Sequence, residues 1–556
     1  MARPFSLAQL RGAELVWLLE LTWGERVFRQ ATRACTVTTS GGTVHSYEPG
    51  LEVGQVTQRL TRYEVDLEGQ SVALEVILPV DVAARVAQGF ELEGASGELS
   101  MVLYQAGAVS TTWEHRERVL VGLVTSPQYG EPSKPVGWMA CSLQEEAFED
   151  HGTLIPSTWV CDKTTWPNRD PKVEGKAYPR VIGAPGRWTD VDGTATTSEG
   201  SPAYLVDTTG ANERLLLAGH PVKATSVTVY DGTTSEVLTV STQADARGNL
   251  CAVINLGPAV TIGTLGTAFT GLEFWVGWHN GGGMIDPYIP STTPTTAAGR
   301  QLERVGNVIR WALSQSTLPV DWGAWATLAA GPQARLKIAS YVNDPEVTPW
   351  EWISDHLLGD PPLIPVSVRR GPDGLVPVLD LVEAKVLDAV AVTAGPDFHR
   401  VGPLEVLVDP AELTTSLTIE YAKPGRDGAY KRRIPIVPQA DVDDDEHGTA
   451  YATLAAQRYG IQAETLSTDV IYDASSADQL ALWWARAKAT PARSVEYEAD
   501  PTWAWLRLGR VLALTDTDLD WTDQVVTVIE RTWLGTRWVF RLEYRPAVLR
   551  DARAVA

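Results

Sequence analysis

Trp538-Val539-Phe540-Arg541-Leu542-Glu543-Tyr544 is the stretch whose reading decides the fold class. Trp538, Phe540, Leu542 and Tyr544 fall on one face of an extended chain, and Val539, Arg541 and Glu543 on the other. That period of two, filled with aromatic residues, fits a half-buried pleated surface and predicts a strand that seals a C-terminal barrel. The same alternation recurs at the other end of the chain. Arg62, Glu64 and Asp66 alternate with Tyr63, Val65 and Leu67, and Val72, Leu74, Val76 and Leu78 continue the pattern. Leu99, Met101 and Leu103 give a further strand and Val119 to Val124 a more buried one, so an antiparallel barrel or sandwich is expected here as well.

Between these ends the pattern changes. A Pro- and Trp-containing stretch runs from about Pro156 to Trp188, then short strands resume at Tyr204 to Val206 and Arg214 to Leu217. Val227 and Val229, the Asp231-Gly232 pair, and Val237, Leu238 and Val240 read as a hairpin, and this module closes near Trp278. The Gly-rich 279–283 run and the Pro- and Thr-rich Ile289 to Thr296 form a linker. Leu302, Val305, Val308, Ile309, Ala312 and Leu313 have helical spacing within Gln301 to Gln315. Thr348-Pro349 predicts a helix start with Trp350, Ile353 and Leu357 on one face, stopped by Gly359 and Pro361-Pro362. Leu417, Ile419 and Tyr421 mark a strand. Ser476 and Gln479 stand at capping-box spacing before a helix carrying Leu480, Leu482, Trp483 and Ala487 on a core face.

The expected fold is mainly β with α+β parts: two tube-like antiparallel β-barrel domains, an additional β module and an α/β middle domain. The corresponding boundaries are 1–160 for the N-terminal barrel, 175–288 for the β module, 295–398 for the middle domain and 400–556 for the C-terminal barrel with its helices. A chain of 556 residues can bury several cores without staples. No run approaches the roughly 18 apolar residues that span a bilayer, and no signal-peptide pattern opens the chain, so synthesis in the cytosol is expected.

Composition then narrows the chemistry. A net charge of −23 repels a phosphate backbone and argues against sequence-specific nucleic-acid binding. Cys35, Cys141, Cys161 and Cys251 are scattered without a C-x-x-C pair and read as buried free thiols. The eight histidines never stand at the i, i+4 spacing of a helical metal site. Nucleophile-elbow, phosphate-loop, dinucleotide and zinc-protease motifs are all missing. Asp441, Asp443, Asp444, Asp445 and Glu446 lack the turn glycine and twelfth-position Glu of a calcium loop and read as a solvated loop. Asp516, Asp518 and Asp520 are closer to that loop, but Trp521 and Thr527 occupy its glycine and Glu positions, so a polar hairpin tip is expected. No catalytic, cofactor-binding or metal residue is therefore assigned. The 21 tryptophans are the main oddity; exposed ones could stack on sugars, whereas Trp350, Trp483 and Trp538 fall on apolar faces.

Several ordered segments resemble the hub proteins at the tail tip or baseplate of tailed bacteriophages. They are Gly175 to Gly186, with its Tyr178-Pro179 and Gly183-Ala184-Pro185; Asn343 to Val378, with Trp350-Glu351-Trp352-Ile353, Pro361-Pro362-Leu363-Ile364-Pro365 and Gly371-Pro372-Asp373-Gly374-Leu375; and Leu480 to Asp516, with Arg493-Ser494-Val495-Glu496-Tyr497 and Leu508-Gly509-Arg510-Val511. The strands of Leu99 to Gly130 are similar to the first tube-like barrel of those hubs. The resemblance implies a homotrimer in which each chain supplies two tube-like domains, forming a six-fold-like ring that mates with a hexameric tail tube. It further implies a structural virion protein at the tail tip, made in the host cytoplasm, with a channel for DNA ejection. The implied partners are a distal tail or tail-tube protein, a tape measure protein, and a tail spike or central fibre, with DNA only in transit and no stable membrane association. Some hubs hold an iron–sulfur cluster in a C-terminal domain, but no cysteine follows Cys251 here, so no cofactor is carried over. The family brings no catalytic residues to its hub core, and the chain is expected not to be an enzyme. A carbohydrate-active or glycan-binding β protein is the alternative, resting on tryptophan and carboxylate abundance.

Overall fold

The computed structural model describes residues 13–544 apart from 39–41, 60–69, 106–115, 146–149, 190–191, 210–212, 231–234, 257–273, 280–281, 289–300, 360–361, 372–373, 380–388, 408–412, 439–446 and scattered single positions. The predicted strand at Thr61 to Glu68, the Asp231-Gly232 turn, the Ile289 to Thr296 linker and the Asp441 to Glu446 run lie outside the described residues. The fold is mainly β, with sheets that curl toward barrels.

Ten strands arise from the N-terminal region: β1 (Ala13–Trp23), β2 (Arg26–Ala31), β3 (Cys35–Thr38), β4 (Val44–Pro49), β5 (Leu51–Val53), β6 (Val56–Arg59), β7 (Ser71–Ile77), β8 (Ser96–Gln105), β9 (Glu117–Tyr129) and β10 (Trp138–Glu145). All but β6 join one nine-stranded sheet in the order β3-β4-β2-β1-β8-β9-β10-β7-β5. The alternation in β7 is complete, with Val72, Leu74 and Val76 buried and their neighbours exposed. β4 and β5 are consecutive in the chain yet pair with opposite ends of the sheet, β2 and β7. They meet at Gly50, whose φ of +140° and whose hydrogen bonds, Gly50 N–H to Ala31 O and Ile77 N–H to Gly50 O, close the ring. A Cβ here would lie 3.1 Å from Ile77, so glycine is the residue that lets the strand turn this corner.

A second ring forms from β11 (Ser201–Asp207), β12 (Arg214–Ala218), β13 (Ser226–Tyr230), β14 (Ser235–Thr239), β15 (Ser241–Ala244), β16 (Leu250–Asn255) and β17 (Phe274–Trp278). Its end strands, β14 and β15, are again consecutive, separated only by Val240.

Helices α2 (Val305–Leu313), α3 (Trp322–Ala330) and α4 (Pro349–His356) follow; a shorter helix, α1 (Val82–Ala87), lies between β7 and β8. The predicted stripe of α2 is buried throughout. Thr348 caps α4 as expected, and Glu351 completes a capping box.

The C-terminal barrel comprises β18 (Val390–Thr393), β19 (Phe398–Arg400), β20 (Glu405–Val406), β25 (Arg493–Ala499), β26 (Val511–Asp516), β27 (Trp521–Trp533) and β28 (Trp538–Tyr544), to which β6 is added. Between β20 and β25 the chain leaves the barrel. It forms a four-stranded sheet of β21 (Ser416–Tyr421), β22 (Arg432–Pro438), β23 (His447–Thr449) and β24 (Ala463–Ser467), with helices α5 (Ala450–Tyr459) and α6 (Ala474–Lys488). The cap of α6 differs from expectation: Asp473, not Ser476, is the N-cap. The Asp473 carboxylate accepts from the Ser476 amide and hydroxyl, because a carboxylate three residues farther out reaches the free amides first.

Two large cores result. One gathers α2, α3, α4, β21, β22 and α6, with Leu154, Ile155 and Trp188. The other is shared by the two terminal barrels, joining Leu15, Trp17, Leu74 and Leu143 to Val495, Tyr497, Trp533 and Trp538.

Candidate functional site: the joint between two matched barrels

The terminal barrels follow one path. In the N-terminal ring β5 pairs with β7, β7 with β10, β10 with β9, and β9 with β8. In the C-terminal ring β19 pairs with β25, β25 with β28, β28 with β27, and β27 with β26. The order along the chain matches too: a closing segment, one strand, a short helical turn (α1 or Pro501–Trp505), then a three-stranded meander. The N-terminal ring differs by the β1–β2 hairpin inserted between β8 and β4. Each terminal ring contains one parallel contact among antiparallel ones. It is β2 beside β4 in one and β18 beside β26 in the other, whereas the pairs of the 201–278 ring are all antiparallel.

Local geometry repeats with the path. Val72, Leu143 and Val124 make one cross-strand row, and Val495, Leu542 and Val528 its counterpart, all buried. At the corner beside each row stands a glycine with positive φ, Gly94 at +80° and Gly509 at +75°. The Gly94 amide donates to Val124 O at 2.8 Å and the Val124 amide to Ala95 O at 2.8 Å. The Gly509 amide donates to Val528 O at 2.8 Å and the Val528 amide to Arg510 O at 3.0 Å.

The joint is made by a strand given from one barrel to the other. Directly after β5 closes the N-terminal ring, β6 pairs antiparallel with the far half of β27, Val56 to Arg59 against Trp533 to Glu530. Beneath this ladder Arg531, 3% exposed, places its Nε 2.6 Å from Gln58 Oε1 and its Nη2 2.7 Å from Glu117 Oε1. Its Nη1 donates to the carbonyls of Ala504 and Leu506, each at 3.2 Å, which end the 3-10 turn before β26. Arg507 holds the other Glu117 oxygen at 3.1 Å. Beside the guanidinium, Trp17 lies 6.0 Å from Trp533 and 6.3 Å from Trp538, so aromatic packing surrounds a fully partnered charge. Such an arrangement fixes the orientation of one barrel on the other.

The residues weighed from sequence fall elsewhere. Asp516 is not at a solvated tip: it is buried, accepts the Tyr497 hydroxyl and the Asp518 amide, and with burial pushes the Tyr497 phenol upward. Cys141, Cys161 and Cys251 are buried and Cys35 half-buried, all four free; burial raises Cys141 to about 11 and Cys251 to about 12. Among the described residues no group of three or more metal-ligating side chains converges, and of the tryptophans only Trp322 is exposed. A polar cleft of about 190 Å³ lies between Arg187, Glu303, Lys337 and Asp473, with Lys337 3.6 Å from Glu303. Sequence reading missed Arg531, Gln58 and Glu117, because nothing local distinguishes a buried arginine in a strand from an exposed one.

No family model and no curated protein matches the chain. Among solved structures it is similar to a tail protein from Neisseria meningitidis MC58, at 10% identity and a TM-score of 0.35 over 96% of this chain and 99% of that one. It is also similar to the 43 kDa tail protein of prophage MuSo2 from Shewanella oneidensis, at 9% identity and 0.33 over 95% and 97%. A third likeness is to a chain of the virion of a native gene transfer agent particle, at 12% identity and 0.36 over 71% and 90%.

Proposed function

We propose that the chain is a structural protein of a phage virion tail, a trimeric hub at the tail tip and not an enzyme. The observation that carries this reading is the pair of barrels with one path, held at a fixed angle by a buried joint. Three copies would present six equivalent units, the number a hexameric tail tube requires, while leaving three-fold symmetry for a spike or fibre below. The distal tail or tube protein, the tape measure protein and a central fibre are the partners in this reading, with DNA passing through an acidic or neutral lumen. Most of the described tryptophans are buried or partly buried, which weakens the support for the glycan alternative. Mass photometry of the purified chain, alone and with its tube partner, tests the proposal. Three copies per particle are expected, and a strict monomer in both samples overturns it.

A further inference from the structure

Among the described residues three arginines are buried, and two of them meet a carboxylate: Arg531 at Glu117 and Arg116 at Glu98. Arg180, 8% exposed, meets none among the described residues. Its Cζ stands 4.4 Å over the ring of Trp159 and 5.5 Å over that of Trp311 on α2. Its Nε is sealed from solvent without a hydrogen-bond partner, and burial alone holds the guanidinium down to about 10. The buried imidazole that feels this charge, His220, supplies no counter-charge: its Nε2 accepts the Val181 amide, its Nδ1 faces the Pro221 carbonyl, and burial keeps the ring neutral. Indole faces attract the cation from above but offer no acceptor in the guanidinium plane, where the N–H donors point. The backbone around it is fixed. Arg180–Ile182 pairs with Ser340–Val342, the Gly219 amide donates to Pro179 O at 3.0 Å, and the Tyr178 hydroxyl donates to Asp245 at 2.9 Å.

We propose that Arg180, walled by Trp159 and Trp311, receives a carboxylate from outside the chain, the side chain of an Asp or Glu on a partner protein. This goes beyond the hub reading and does not depend on it. A buried charge without an in-plane acceptor destabilises the fold, and a carboxylate meets the guanidinium fork with two parallel hydrogen bonds. The net charge of −23 opposes a phosphate dianion more than a single carboxylate. With Nε sealed, the little exposure Arg180 keeps lies elsewhere on the side chain, so a carboxylate on a thin aliphatic stem reaches it where a sugar ring does not.

The probe is N-acetyl-glutamate amide, added at neutral pH to the full chain in carboxylate-free buffer. Binding, followed by saturation-transfer NMR, should be saturable, and ten times its Kd should raise the melting temperature by about 3 °C. Arg180→Met should abolish both responses while melting no lower than the unsubstituted chain without probe. Arg180→Lys keeps the charge but not the fork and should weaken binding by about tenfold or more. Absence of probe binding to the unsubstituted chain, or binding that survives Arg180→Met, overturns the site. So does a marked loss of stability in Arg180→Met, which would place the counter-charge within the chain. Tighter binding of glucuronate or inorganic phosphate than of the probe overturns the protein side chain as its source. None of these outcomes touches the hub reading, which mass photometry decides.

Discussion

Replacing Arg531 with Met keeps the length of the side chain and removes its charge and all four hydrogen bonds. Left behind are the Glu117 carboxylate, only 15% exposed, the Gln58 amide oxygen and the carbonyls of Ala504 and Leu506. Breaking a buried pair from one side costs about 3–5 kcal/mol, chiefly because the remaining charge is unpaired; Arg507, still 3.1 Å from Glu117, should hold the loss toward the lower figure. Arg531→Met combined with Glu117→Leu and Gln58→Leu removes the stranded groups and should recover most of it. Because the chain has more than one core, the loss is best read locally. Hydrogen exchange of peptides covering β6 and the far half of β27 should quicken by roughly 100-fold for a loss of about 3 kcal/mol, while α2 and β21 keep their rates. Less than tenfold acceleration in β6, or equal acceleration everywhere, would refute the assignment of Arg531 as the key of the joint.

Gly94 and Gly509 occupy matched corners but different surroundings: a Cβ at 94 meets nothing within 4 Å, and one at 509 lies 2.1 Å from Val378 Cγ1. Gly94→Ala should therefore cost only the left-handed strain of about 1–2 kcal/mol, and Gly509→Ala clearly more, as urea midpoints will show; equal losses would count against the packing of 374–379 on that corner. Burial holds His220 down to about 4, where its Nε2 accepts the Val181 amide at 3.0 Å. The unfolded chain binds the proton first, so this stability is present above about pH 6.5 and is lost as pH falls toward 4, by about 3 kcal/mol in all; His220→Gln should flatten that slope. Millimolar calcium should leave the melting temperature unchanged, since the Asp516 carboxylate is already occupied by Tyr497 and Asp518; a rise abolished by Asp518→Ala would reverse this.

The faces of β7 and β28, the stripe of α2 and the Thr348 cap were legible because each depends on residues a few positions apart, where strand and helix periods operate. Long-range pairing was not. That β6 leaves its own barrel for β27, that Arg531 meets Gln58 473 positions away, and that Asp516 turns inward to Tyr497 depend on which surfaces meet after collapse. Even the duplication of the barrels is invisible in residue identity, because a core row asks only for apolar side chains of suitable size: Cys141 and Phe540 occupy corresponding places in β10 and β28. Periodicity settles which side of a strand is buried; only closure of the sheets decides what that side, and its free edge, will face.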